Sequence, residues 1–174
     1  VDRLPAGFSV TKLYHPTDSP DPTAQDATVA NQIAALEQGY NLVIHNGHAG
    51  PDLLTTEQVY DPAYAFTGTQ AGGLTKDTLP IFLSGGCQAG QFEAPFSWGG
   101  SYYADDSAGE KLVNATVGGA VAYLGNTTTG LGLAGGSQFI DEMLTEMSDH
   151  PGLLLGDAFY AAHLRLPESD TFPF

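Results

Sequence analysis

Two short stretches of the chain carry residue types able to do nucleophilic chemistry. His45-Asn46-Gly47-His48-Ala49-Gly50 directly follows the apolar run Tyr40 to Ile44. Ser84-Gly85-Gly86-Cys87-Gln88-Ala89-Gly90-Gln91-Phe92 directly follows Leu79 to Leu83, with Cys87 placed 39 residues after His48. A thiol attacks a carbonyl as its thiolate, and an imidazole can generate or hold that thiolate and then protonate a leaving amine. Glycines beside such a pair, here Gly47 and Gly86, let backbone amides come close to a developing oxyanion and to substrate. Cys87 is the single cysteine of the sequence, which excludes an internal disulfide and a cysteine-based zinc site. A lone cysteine is most often a small buried hydrophobe. Its place after a Gly-Gly turn at the end of an apolar run raises the nucleophile reading, and the buried-thiol reading stays open beside it.

The elements that must position the pair are legible as alternating strands and helices. Phe8 to Tyr14, Tyr40 to His45, Leu79 to Ser84 and Gly119 to Gly125 read as strands. The last three are near-continuous apolar runs, the pattern of strands buried on both faces of a parallel sheet. Helical periodicity covers Asp26 to Gln38, with Val29, Ile33 and Leu36 on one face and Gly39 as a stop. Ser107-Ala108-Gly109-Glu110 is a capping box that starts a helix running to about Asn114. Ser137 to Ser148 and Gly152 to Leu166 complete the helices, and Thr55 to Thr78 and Gln88 to Asp106 are expected as long loops. The fold class is therefore α/β, a parallel sheet covered by helices on both sides. Both reactive stretches sit at carboxyl ends of strands, the edge where open parallel sheets bind ligands. If those strands are neighbours, His48 and Cys87 meet above that edge.

Composition bounds the possibilities. The chain has 174 residues, enough for a real core, and a net charge of -15 from 20 acidic and 5 basic residues. So few cations exclude a nucleic-acid partner, whose phosphates need Lys and Arg to displace counterions, and a polybasic membrane anchor. No run of apolar residues is long enough for a transmembrane span. The start, Val1-Asp2-Arg3, lacks the pattern of a signal peptide.

Several blocks then resemble one family. Gly47-His48, Leu53-Leu54-Thr55-Thr56-Glu57-Gln58, Leu79-Pro80-Ile81-Phe82, Cys87, Gln91-Phe92, Ser107 to Leu112 and Gly118 to Gly125 follow the order seen in the gingipain-type cysteine peptidases. These belong to a caspase-like fold group, and the likeness covers roughly Gly39 to His163. The resemblance implies a caspase-like three-layer sandwich with a mainly parallel sheet flanked by helices. It implies His48 as the catalytic histidine, Cys87 as the nucleophile, and the backbone amides of Cys87 and Ala49 as the oxyanion hole. Relatives commonly carry glycine where this chain has Ala49, a change that keeps the amide donor. They often place a tryptophan pocket wall in the segment that here reads Asn126-Thr127-Thr128-Thr129-Gly130, so a preference for arginine or lysine is not implied. Acidic partners of the histidine and one further strand fall outside residues 1–174. The chain is thus expected to be part of one peptidase domain, truncated at both ends.

The expected activity is cysteine endopeptidase action on a protein or peptide substrate. A sortase-like transpeptidase on the same fold, or a non-catalytic degenerate module, are the alternatives. Asn126, Thr127 and Trp98 are expected at the substrate groove, Trp98 among the aromatics Phe92, Phe96, Tyr102 and Tyr103. His45 reads as supportive, and His15, His150 and His163 as structural. The chemistry requires no cofactor. His45, His48 and Asp52 could be drawn as metal ligands, but their spacing in a turn enforces no convergence. The 13 aspartates make structural calcium conceivable at Asp105-Asp106 or Asp18 to Asp21, against a plain reading as solvated acidic loops. Asn114-Ala115-Thr116 and Asn126-Thr127-Thr128 match the glycosylation sequon, a short and common match. The remaining part of its own catalytic domain is the other expected partner, and the acidic charge fits a secreted or cell-surface site.

Overall fold

The structure is a computed structural model that describes residues 4, 7–16, 21–56, 61–93, 96–98, 101–103, 106–130 and 132–166. In chain order the elements are β1 (Leu13–Tyr14), β2 (Gln25–Asp26), α1 (Val29–Leu36), β3 (Leu42–His45), β4 (His48–Gly50), β5 (Leu53–Thr55), β6 (Phe66–Thr67) and α2 (Gly68–Gly72). They continue with β7 (Ile81–Ser84), β8 (Phe96–Trp98), β9 (Ser101–Tyr103), α3 (Ala108–Asn114), β10 (Ala122–Leu124), α4 (Gly132–Asp149) and α5 (Leu155–Arg165).

The central sheet has the order β10-β7-β3, and all its pairings are parallel. Successive side chains of a strand point to opposite faces, and here both faces are apolar. Val43, Phe82 and Tyr123, aligned across the sheet, face one core with Ala71, Leu74, Leu112, Ile33 and Leu36 from the α1, α2 and α3 side. Ile81, Leu83, Leu42 and Leu124 face a second core with Ile140, Met143 and Leu144 of α4 and Ala158 and Ala162 of α5. The result is helix, sheet, helix: an α/β protein in three layers, as the unbroken apolar runs require.

Local signals set the helix ends. Thr28 accepts the Asn31 amide at 3.2 Å to open α1, and Gly39 takes a positive φ of 83° after it ends. The capping box forms as expected: the Glu110 amide donates to Ser107 Oγ (3.3 Å) and the Ser107 amide to Glu110 Oε2 (2.8 Å). On the far layer, Arg165 of α5 pairs with Glu142 and Glu146 of α4, and Phe139 meets Phe159 edge to face.

Several boundaries differ from expectation. Phe8 to Tyr14 forms a strand only over Leu13–Tyr14, which pairs with β2. The stretch Thr55 to Thr78 holds β6 and α2, and Gln88 to Asp106 holds the antiparallel β8-β9 pair. These elements are too short for hydrophobic periodicity to register. Helix α4 begins at Gly132 rather than Ser137, through a glycine-rich turn of low helix propensity. A tertiary contact favours it: a Cβ on Gly136 would lie 3.1 Å from the Cα of Gly85, so the bare glycine face lets this helix lie against the turn before Cys87. Among the described residues no helix is long and apolar enough to cross a membrane.

Candidate active site

Three loops leave the carboxyl ends of the central strands and converge. Because β3 and β7 are neighbours, His45 is the register partner of Ser84, and the Gly85 amide donates to the His45 carbonyl at 3.0 Å. The turn Gly85-Gly86 then lies directly on the histidine segment. A Cβ on Gly86 would sit 2.5 Å from Ala49 Cβ and 3.2 Å from the Gly47 carbonyl oxygen, distances only glycine permits. Gly47 is equally enclosed, with a Cβ there falling 2.3 Å from the Thr55 carbonyl oxygen. Both glycines are thus required for close approach.

The loop after β10 closes over the turn that carries Cys87. Asn126 Nδ2 donates to the carbonyls of Gly85 (3.2 Å) and Gly86 (2.9 Å), the Gln88 amide donates to the Thr128 carbonyl, and the Gly90 amide to the Asn126 carbonyl. The Gly130 amide approaches Cys87 Sγ at 3.3 Å. Gln88 holds φ at +58°, a left-handed conformation that costs a non-glycine residue roughly 1–2 kcal/mol and turns the chain sharply after Cys87. Cys87 itself is half-buried, and its backbone N–H takes no acceptor among the described residues.

His48 opens β4, which pairs antiparallel with β5. The two residues Pro51 and Asp52 make the turn, so the flanking pair Gly50–Leu53 is the hydrogen-bonded one and Ala49–Leu54 is not. The Ala49 N–H therefore points away from β5. The hairpin is anchored from below: Pro51 is fully buried, its carbonyl accepts the Ala108 amide (2.7 Å), and Asp52 pairs with Lys111 (3.3 Å). His48 Nε2 is buried and has no hydrogen-bond partner among the described residues.

His45 is fully engaged. Its Nε2–H donates to the Thr55 carbonyl (3.2 Å), so Nδ1 is the acceptor for the Ser84 hydroxyl (2.9 Å). Ser84 Oγ in turn accepts the Gly86 amide at 3.2 Å. Desolvation lowers the pKa of His45 from its ordinary 6.5 to about 4, against the pull of the Thr55 hydrogen bond, and the nearby His48 acts in the same direction as desolvation. Folding therefore favours the neutral ring. Its contribution to stability is complete above about pH 6.5 and is lost as the pH falls toward 4. Acid titration of unfolding free energy should show a decline over this window that a His45→Leu variant lacks; equal slopes in both proteins would contradict the assignment.

Other expected residues fall as follows. Asn126 turns both amide hydrogens inward on the Cys87 turn, and Thr127 lies in the same loop. The side chain of Trp98 and the residues Asp18, Asp105, Glu57 and Gln58 lie outside the described residues. Asp21 of the calcium candidates is bonded to Lys12 (2.8 Å) and Thr23, which hold its carboxyl well below the usual carboxylate range. Among the described residues no three His, Cys, Asp or Glu side chains converge as a metal group. His15 stacks edge-on to Tyr64, His163 on Phe159, and His150 faces Glu146. Sequence reasoning missed Ser84, which carries no local signal because its role depends on the register that pairs it with His45. It also missed Tyr123, whose ring stacks on Phe82 beneath the site, with its buried hydroxyl pushed up to about 12 by desolvation.

Cys87 and His48 thus lie on the segments that leave two adjoining strands of an α/β sheet. A family model described as peptidase family C25 matches residues 2–171, and the chain belongs to that family, the gingipain family of cysteine peptidases. Among curated proteins and solved structures nothing matches.

Proposed function

We propose that this chain is a gingipain-like cysteine endopeptidase on a caspase-like sheet, with Cys87 as nucleophile and His48 as its acid and base. The observation that carries the reading is the buried, unpartnered Nε2 of His48 on the strand that packs against the Cys87 turn. A buried imidazole nitrogen without a partner is costly unless a reaction uses it.

The Cys87 thiolate attacks the scissile carbonyl carbon, and the C=O electron pair moves onto oxygen. The N–H groups of Cys87 and Ala49 receive that oxyanion. Collapse of the intermediate expels the amine, which takes a proton from His48 and leaves an acyl-enzyme thioester. Water, deprotonated by His48, then releases the acid and restores the thiol. The Gly130 amide lies 3.3 Å from Cys87 Sγ and helps fix the side chain in the turn. In this reading Gly47, Gly86 and Thr127 border the groove, while Asn126 holds the turn from within. No cofactor takes part. Family resemblance and the acidic surface support a secreted or cell-surface setting.

A peptidyl acyloxymethyl ketone should label the native protein, and mass spectrometry should place the adduct on Cys87. Labelling elsewhere, or none with peptide turnover intact, would sink the reading. Adding glycinamide to the assay separates hydrolysis from acyl transfer: hydrolysis alone at high amine supports the peptidase.

A further inference from the structure

We infer that Ser84 and His45 act together as a positioning pair that locks the nucleophile turn to the histidine strand. The inference rests on Cys87 and His48 being the reacting groups. It concerns side chains that touch neither substrate nor the attacked carbonyl.

The physical argument follows an unbroken chain of hydrogen bonds. The Gly86 N–H donates to Ser84 Oγ (3.2 Å), the Ser84 hydroxyl donates to His45 Nδ1 (2.9 Å), and His45 Nε2–H donates to the Thr55 carbonyl (3.2 Å). Thr55 is the cross-strand partner of His48. One end of this chain is the peptide next to Cys87, and the other is the strand pairing that carries His48. The neutral ring supplies one donor, to the Thr55 carbonyl, and one acceptor, for the Ser84 hydroxyl, which also faces the phenol of Tyr123. Ser84 is buried, so its hydroxyl has no water to fall back on.

The consequence is orientation. With the Gly86 N–H fixed inward and the Gly85 and Gly86 carbonyls held by Asn126, the peptide plane leading to Cys87 cannot rotate. The Cys87 N–H is then presented outward, toward the place where an oxyanion forms. Loss of the Ser84 hydroxyl leaves the Gly86 amide and His45 Nδ1 unpaired in a buried site, and the turn is free to reorient.

Ser84→Ala is expected to lower kcat for peptide hydrolysis about tenfold to a hundredfold, the cost of misplacing a reacting group by a fraction of a bond length or more. KM should stay within about twofold, because the loss falls on the transition state rather than on ground-state binding. Iodoacetamide, which needs no oxyanion hole, should still alkylate Cys87 at close to the wild-type rate. Ser84→Thr, which keeps the hydroxyl, should recover most of kcat. His45→Leu, which removes the acceptor, should lower kcat in the same direction, and decides the matter should Ser84→Ala fail to fold. A folded Ser84→Ala with kcat within threefold of wild type overturns the inference, as does a Thr variant no better than Ala or a His45→Leu variant of normal kcat. If Cys87→Ala retains turnover, it is the nucleophile assignment that fails instead.

Discussion

Replacing Cys87 by alanine is expected to reduce peptide hydrolysis by at least roughly a thousandfold, to the residual rate that binding and the oxyanion donors alone provide. The thiol is the only group in the sequence able to form the thioester, since no second cysteine exists. The folded state should barely notice. Cys87 is half-buried, and among the described residues its side chain takes one weak hydrogen bond, from the Gly130 amide. The thermal midpoint should therefore stay near that of the native protein while turnover disappears. His48→Ala should produce a loss of similar size, and the double variant little more, because the two groups act as one unit. Kinetics beside thermal unfolding of the three variants measure this. A Cys87→Ala protein that still cleaves peptide refutes the mechanism, and one that unfolds assigns the thiol a structural role.

The second large effect comes from a glycine. Gly86→Ala places a Cβ 2.5 Å from Ala49 Cβ and 3.1 Å from His45 Cε1, and Ala49 sits in a paired strand that yields little. The turn carrying Cys87 must move away from the strand carrying His48. Overpacking of this kind costs about 1–3 kcal/mol of stability. A shift near 1 Å between reacting groups is worth about a hundredfold in kcat/KM. Ala49→Gly removes the closest of the clashing atoms and restores the residue that relatives commonly carry after the histidine. The Gly86→Ala/Ala49→Gly protein should therefore regain a substantial part of both losses. Urea denaturation and kcat/KM of the single and double variants provide the check. Wild-type activity in Gly86→Ala, or no recovery in the double variant, would show that the two segments are not in the close contact described.

Several features were readable without coordinates because their causes are local. Capping depends on residues three positions apart, so Ser107 and Glu110 announced the start of α3. Burial on both faces needs apolar residues at consecutive positions, so Leu42–His45 and Ile81–Ser84 showed as interior strands. The thiol and histidine at their ends then followed from the rule that parallel sheets bind at their carboxyl edge. Other features had no local cause. The sequence places Asn126 at the substrate groove, but its hold on the Gly85 and Gly86 carbonyls, some 40 residues away in sequence, shows only in the fold. His45 looked merely supportive; its use of both nitrogens appears only when β3 lies beside β7.

The sequence by itself determined the layers of this protein, its family and the strand ends that carry His48 and Cys87, because periodicity, caps and residue type act over a few neighbours. The tertiary structure alone decided the strand order β10-β7-β3, the register that sets Ser84 against His45, and the glycine contacts of Gly85 with Gly136 and Gly86 with Ala49. Those depend on which distant segments come together, and a glycine or serine carries no local signal of the neighbour that requires it.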